Sequence, residues 1–187
     1  LMYGGTIYGW YFYLTWLPTY LLRARGFNIK QVGWLAALPL IGIAGGVSLG
    51  GLLSDALVRR FGSRIGRRVP GLIGLPLAAI AVIVAVKTGD PLVAALALAS
   101  AATLAAFGVA GGWAVCLQIG GKHAGVVTGA MNTFGNLGGA LSPVVVGLCL
   151  QRWNSWNLPL MTVAGFYLVA AGSWLVIDPE ERIENMH

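Results

Sequence analysis

The sequence predicts an all-α integral membrane protein of six transmembrane helices, and three observations carry that prediction. Of its 187 residues, 57% are hydrophobic and 10% charged, with a mean hydropathy of +0.78, which leaves too little charge to cover a soluble domain of this size. Six apolar stretches lie end to end, each close to the roughly 20 residues that cross a hydrocarbon core about 30 Å thick. The twelve Lys and Arg fall in short clusters between those stretches, as topology-setting loop charges do.

In chain order the expected spans are 1–22, 32–53, 69–86, 91–119, 126–150 and 159–177. Strands are a poor alternative, because a transmembrane barrel alternates apolar and polar residues over about ten positions and these runs are unbroken. The expected connections are 23–31, 54–68, 87–90, 120–125 and 151–158, with a polar tail from Asp178. None is long enough for a folded extramembrane domain. One side then carries Arg59, Arg60, Arg64, Arg67, Arg68, Lys122 and Arg182, and the other Arg23, Arg25, Lys30, Lys87 and Arg152. The density of arginine in the second connection makes that side cytoplasmic, and six crossings put both termini there. The net charge of +6 and the pI near 9.8 thus read as topology signals and contacts with membrane lipids, and nucleic acid is set aside as a partner.

Cys116 and Cys149 lie inside apolar runs as small hydrophobes, so neither a disulfide framework nor a metal site is implied, and no cofactor either. The first stretch lacks the basic start and cleavage site of a signal peptide. With no initiator before Leu1, the chain is expected to be a piece of a longer reading frame. Glycine is abundant at 28 residues. Gly42, Gly46 and Gly50, then Gly108 and Gly112, then Gly125, Gly129, Gly135 and Gly139 give three helices a smooth face, suited either to a rigid bundle or to a sliding interface.

The run Gly46-Val47-Ser48-Leu49-Gly50 spells a nucleophile elbow, but the two histidines, His123 and His187, sit in a loop and at the terminus. Without a base in reach there is no catalytic site, and Ser48 reads as a packing residue. No enzyme is expected.

Three polar residues on the fifth stretch, Thr128, Asn132 and Asn136, recur at intervals of one turn and share a face that lipid would not tolerate. Asn136 serves either as a ligand contact or as a helix-to-helix hydrogen bond. On the first stretch, Tyr8, Tyr11, Phe12 and Thr15 form a stripe whose rings and hydroxyls suit a sugar-like ligand, while Trp16 and Tyr20 read as an interfacial belt. Asp55 stands four residues after Gly51 and ahead of Arg59, Arg60, Arg67 and Arg68. An acid there can face the positive end of a neighbouring helix while an arginine balances it, a conformational latch. A plain positive-inside anchor explains the arginines but not Asp55.

The series Gly51-Leu52-Leu53-Ser54-Asp55 with Arg59-Arg60-Phe61-Gly62 resembles the signature loop of the major facilitator superfamily. The run from Gly112-Trp113-Ala114 through Gly129-Ala130-Met131-Asn132-Thr133-Phe134-Gly135-Asn136 to Ser142-Pro143 resembles that family's anion:cation symporter branch, as does the aromatic opening Tyr8 to Leu21. The resemblance implies the C-terminal six-helix half, helices seven to twelve, of a twelve-helix secondary transporter in the inner (plasma) membrane. It implies a small anionic substrate such as a sugar acid and an N-terminal six-helix half as partner. It also implies substrate contacts at Asn132, Trp113 and Tyr8, which Tyr11 and Asn136 join as candidates from their helix faces, and a latch of Gly51, Asp55, Arg59 and Arg60. Gln118 departs from the Asp expected before Ile119-Gly120-Gly121. No ionisable residue lies within an expected helix core, so the countercharge and the coupling carboxylate would belong to the other half. The rival expectation is a self-contained six-helix channel or scaffold protein.

Overall fold

The computed structural model describes residues 1–181, in which eight α-helices and one 3-10 turn follow one another without a strand. Arg182 and His187 lie outside the described residues.

The first expected span divides into α1 (Met2–Thr15) and α2 (Leu17–Arg23). Pro18, within the first turn of α2, has no N–H to continue the ladder, and its ring blocks the carbonyl of Leu14. The break is confined to Trp16, since Trp16 still bonds Phe12 (2.9 Å) and Tyr20 still bonds Trp16 (2.8 Å) through the backbone.

Helix α3 (Ile29–Phe61) starts from a reciprocal cap, in which Asn28 Oδ1 accepts from Gln31 N–H and Gln31 Oε1 accepts from Asn28 N–H. At 33 residues it is about 50 Å long, longer than an apolar core is thick. Its last turns, bearing Asp55, Arg59 and Arg60, therefore replace part of the expected connection 54–68. Gly62 alone separates α3 from α4 (Ser63–Lys87), at φ +83°, a conformation that glycine adopts without strain.

Asp90 caps α5 (Pro91–Ala106), accepting from Leu92 N–H at 2.8 Å and Val93 N–H at 3.0 Å. The expected span 91–119 is broken at Phe107 and Gly108 before α6 (Val109–Gly120). The 3-10 turn Gly121–His123 leads into α7 (Ala124–Trp153), and Asn154, in the left-handed region, ends α7 before α8 (Asn157–Val176). Four helical stretches among the described residues are long and apolar enough to cross a membrane: α3, α4, the run Pro91–Trp153 and α8.

Helices α3, α4 and α5 pack on one another, α1 lies against α7 and α8, and α4 against α8 joins the two groups, with α6 on α3 and α7. Glycines of α3 allow a close approach to α5. A Cβ at Gly46 would collide with the carbonyl of Thr103, and one at Gly50 with the backbone of Phe107, so the expected smooth face of α3 is a tight seam with α5. On α7 the glycines divide: Gly135 and Gly139 meet α1, whereas Gly125 and Gly129 face open space. Cys116 and Cys149 are buried free thiols. The largest fully buried side chains, Trp174, Tyr8, Tyr20, Tyr167 and Phe12, fill the seam of α1 and α2 with α8 and α4.

Candidate functional site: an amide ladder between two ion-paired and capped ends

The ring of Tyr11 lies over Gly139, where a Cβ would come within 2.7 Å of it. The absent side chain lets α1 close on α7 and brings the phenol to the preceding turn. There Tyr11 donates its O–H to Asn136 Oδ1 at 3.1 Å. Asn136 in turn donates from its amide nitrogen to the carbonyl of Asn132 at 2.9 Å and to Asn132 Oδ1 at 3.1 Å. The result is a neutral ladder of phenol, amide and amide across two helices. Asn136 is satisfied on both sides, whereas exposed Asn132 keeps its amide nitrogen without a hydrogen bond among the described residues.

The other expected contacts fall differently. Thr128 bonds back to the Ala124 carbonyl at 2.8 Å, and Thr15 to that of Tyr11 at 2.6 Å; each serves its own helix. Trp113, 36% exposed, meets Tyr3 edge to face at 6.1 Å, and Tyr3 packs on Gly135, so the ring of Tyr3 joins Trp113 to Gly135 of α7. Tyr8, expected to face a substrate, is 1% exposed. Its hydroxyl bonds Thr162 at 3.0 Å and its ring stacks on Phe166 at 4.2 Å, because α8 covers that side of the aromatic stripe. Ser48 is exposed and bonds its own helix at Ala44, so it does not pack against a neighbour. An apolar cavity of about 730 Å³ lies among α1, α6, α7 and α8, lined by Tyr3, Cys116, Met131, Phe134 and Phe166 among others. None of the five expected contact residues lines it.

At one end of the bundle, Asp55 pairs with Arg67 at 2.6 Å, an arginine outside the expected latch of Gly51, Asp55, Arg59 and Arg60. Arg59 and Arg60 are both exposed, and the Arg60 guanidinium stacks over Phe61 at 5.3 Å. The cause is Gly66, at which any Cβ would collide with the backbone of Val58. Its bareness presses the start of α4 onto α3, and the next residue comes to rest against Asp55. Arg67 also donates to Ser54 Oγ at 3.2 Å, and fully buried Ser54 donates to the Gly66 carbonyl at 3.0 Å. Gly51 serves here as a spacer, 3.3 Å from a Cβ on it to Ala110 Cβ. With Asp55 55% exposed, the pair contributes at most about 1 kcal/mol and acts by position.

Three further ties at this end carry no signal in the sequence. Ser63 donates to Gln118 Oε1 at 2.8 Å, Arg64 pairs with Asp178 at 3.3 Å, and Arg68 donates to the carbonyl of Ile177 at 2.6 Å. Gln118 stands out in the sequence as a departure, but nothing in one sequence pairs it with Ser63. At the opposite end, Arg25 donates from Nε to Tyr20 Oη at 2.6 Å, from Nη1 to the Thr88 carbonyl at 2.9 Å and from Nη2 to the Ala85 carbonyl. It caps α4 from outside that helix.

The sequence profile of the Major Facilitator Superfamily matches residues 1–185. The chain is 38% identical over 181 residues to a probable sulfoacetate transporter of Cupriavidus necator, covering 95% of this chain and 42% of that protein. It is 36% identical over 181 residues to a probable galactarate/D-glucarate transporter of Escherichia coli K12, covering 93% and 39%. To a chloroplastic ascorbate transporter of Arabidopsis thaliana it is 32% identical over 179 residues, covering 94% and 32%. The chain thus spans about two fifths or less of the length of these relatives. They are transporters of a family whose members are not enzymes. With all but its last two residues inside the family's profile, and with an all-helical fold of apolar, membrane-length helices, the chain belongs to the major facilitator superfamily.

Proposed function

We propose that this chain is the C-terminal half, helices seven to twelve, of a twelve-helix proton-coupled symporter of a small organic anion, of the sugar-acid kind named for its relatives. Six crossings follow if α1 with α2, and α5 with α6, each count as one kinked helix beside α3, α4, α7 and α8. The Asp55 end, rich in arginine, then faces the cytoplasm and holds both termini, in the inner (plasma) membrane. The observation that carries the reading is the ladder Tyr11–Asn136–Asn132. A neutral hydrogen-bonding row on a membrane-spanning helix has no use toward lipid and belongs on a solvated path. Asn132 is its free end. Its amide donates to a carboxylate or accepts from a hydroxyl, Trp113 offers an apolar face for the carbon chain, and Asn136, itself held by Tyr11, keeps Asn132 in place. The countercharge and the titrating group come from the N-terminal half. Asp55 with Arg67 is the latch of the closed cytoplasmic end.

The test is uptake of a panel of labelled sugar acids by the full-length transporter, with and without a proton gradient, alongside Asn132→Ala. Gradient-driven uptake of one anion, with affinity falling roughly ten- to a hundredfold in Asn132→Ala, is the expected result. Unchanged affinity in that variant would remove the ladder from the substrate path.

A further inference from the structure

At the end of the bundle opposite Asp55, a cavity of about 360 Å³ opens between the end of α2, the end of α4 and the turn from α7 to α8. Its lining is polar: Tyr20, Arg25, Asn154, Ser155, Trp156 and Asn157, with no acidic side chain among the lining residues. The two ion pairs among the described residues are Arg64–Asp178 and Arg67–Asp55, so the charge of Arg25 has no carboxylate against it. Three hydrogen bonds hold its guanidinium still. They use one N–H on each nitrogen and leave one on each terminal nitrogen for an external oxyanion.

Two aromatic rings line this opening, Tyr20 and Trp156, and a third, Trp16, packs on Trp156. Trp156 meets Trp16 edge to face at 6.1 Å and Tyr20 at 5.5 Å, and Arg25 lies over Tyr20 at 5.4 Å. Rings with polar tips at the end of membrane helices sit at the level of the lipid headgroups. A fixed, unneutralised arginine at that level can pair its free terminal N–H groups with a lipid phosphate. Side-chain amides and a hydroxyl on the opposite wall suit the hydroxyls of a headgroup alcohol. We propose that this cavity binds the headgroup of an anionic phospholipid, its phosphate on Arg25 and its alcohol against Asn154, Ser155 and Asn157. The site stands apart from the Tyr11–Asn136–Asn132 ladder and does not depend on the cargo proposed above.

The experiment is native mass spectrometry of the full-length protein released from nanodiscs of mixed phosphatidylglycerol and phosphatidylcholine, comparing wild type with Ser155→Glu and Asn157→Asp. Either variant sets a carboxylate in the cavity while leaving all three Arg25 bonds intact. Wild type is expected to retain phosphatidylglycerol about fivefold over phosphatidylcholine, the scale of one partly screened charge contact. Whichever variant folds, judged by an unchanged Tm in lipid-free detergent, should lose that preference. A preference that survives the added carboxylate would overturn the proposal. So would stabilisation by inorganic phosphate or glycerol phosphate at millimolar concentration without any lipid preference, which would assign the cavity to a soluble anion.

Discussion

At the Asp55 end, α3, α4, α6 and α8 are joined chiefly side chain to side chain, through Asp55–Arg67, Ser63–Gln118 and Arg64–Asp178. At the Arg25 end, beside the Arg25–Tyr20 side-chain bond, the ties run chiefly from side chains to backbone. Arg25 holds the last carbonyls of α4, Asn28 and Gln31 cap α3, and Asp90 caps α5. The two kinds of tie differ in what is left behind when they break. A parted ion pair at a wet rim rehydrates, at a cost of about 1 kcal/mol or less. A parted cap leaves orphan carbonyls or N–H groups at a helix end. The ties of the Asp55 end therefore part at less cost than those of the Arg25 end, as the latch proposed there requires.

The contrast breaks most readily at Gly66. Gly66→Ala forces a Cβ into the backbone of Val58 and should cost about 3 kcal/mol, the upper end of overpacking, read as a large drop in Tm in detergent. An unchanged Tm would mean that something other than this close approach seats Arg67. Arg25→Ala comes next. It strips the carbonyls of Ala85 and Thr88 and should lower stability by about 2 kcal/mol, with no loss confined to transport turnover. Asp55→Asn is expected to have the smallest effect on stability, below about 1 kcal/mol, yet to slow turnover of the full-length transporter more than it weakens substrate binding. Normal turnover per bound substrate with weakened binding would move Asp55 from the latch to the site. Arg59→Ala and Arg60→Ala should each leave stability within about 0.5 kcal/mol; a loss in Arg59→Ala larger than that in Asp55→Asn would return Arg59 to the expected latch.

The helical membrane class is legible in the sequence because unbroken apolar runs of membrane length rarely occur outside a bilayer, and the family match bears out the resemblance carried by the Gly51-to-Gly62 and Gly112-to-Pro143 segments. The connection 54–68 is hidden for a physical reason: past the membrane edge a helix no longer needs an apolar face, so clustered arginines mask its continuation. Pro18 marks the break at Trp16 in hindsight. The spacing of Asn132 and Asn136 places both on one face, and the structure links them directly. The aromatic stripe of α1 is harder to read, since one periodicity spans two neighbours. Tyr8 and Phe12 are sealed inside, while Tyr11 turns to α7. Which member of a stripe stays open depends on partners more than a hundred residues away, and their approach is fixed by bare positions such as Gly139 that carry no chemical signal of their own.

Gly62 has a mechanical consequence. With a single residue between a helix of 33 residues and one of 25, the chain has no slack at that corner. A tilt of α3 there carries the start of α4 with it, and strains the Arg64–Asp178 pair and the Arg68–Ile177 bond at the end of α8. The two helices work as a crank with one stiff elbow, and lengthening that elbow by a few flexible residues would uncouple the arms while leaving each helix whole.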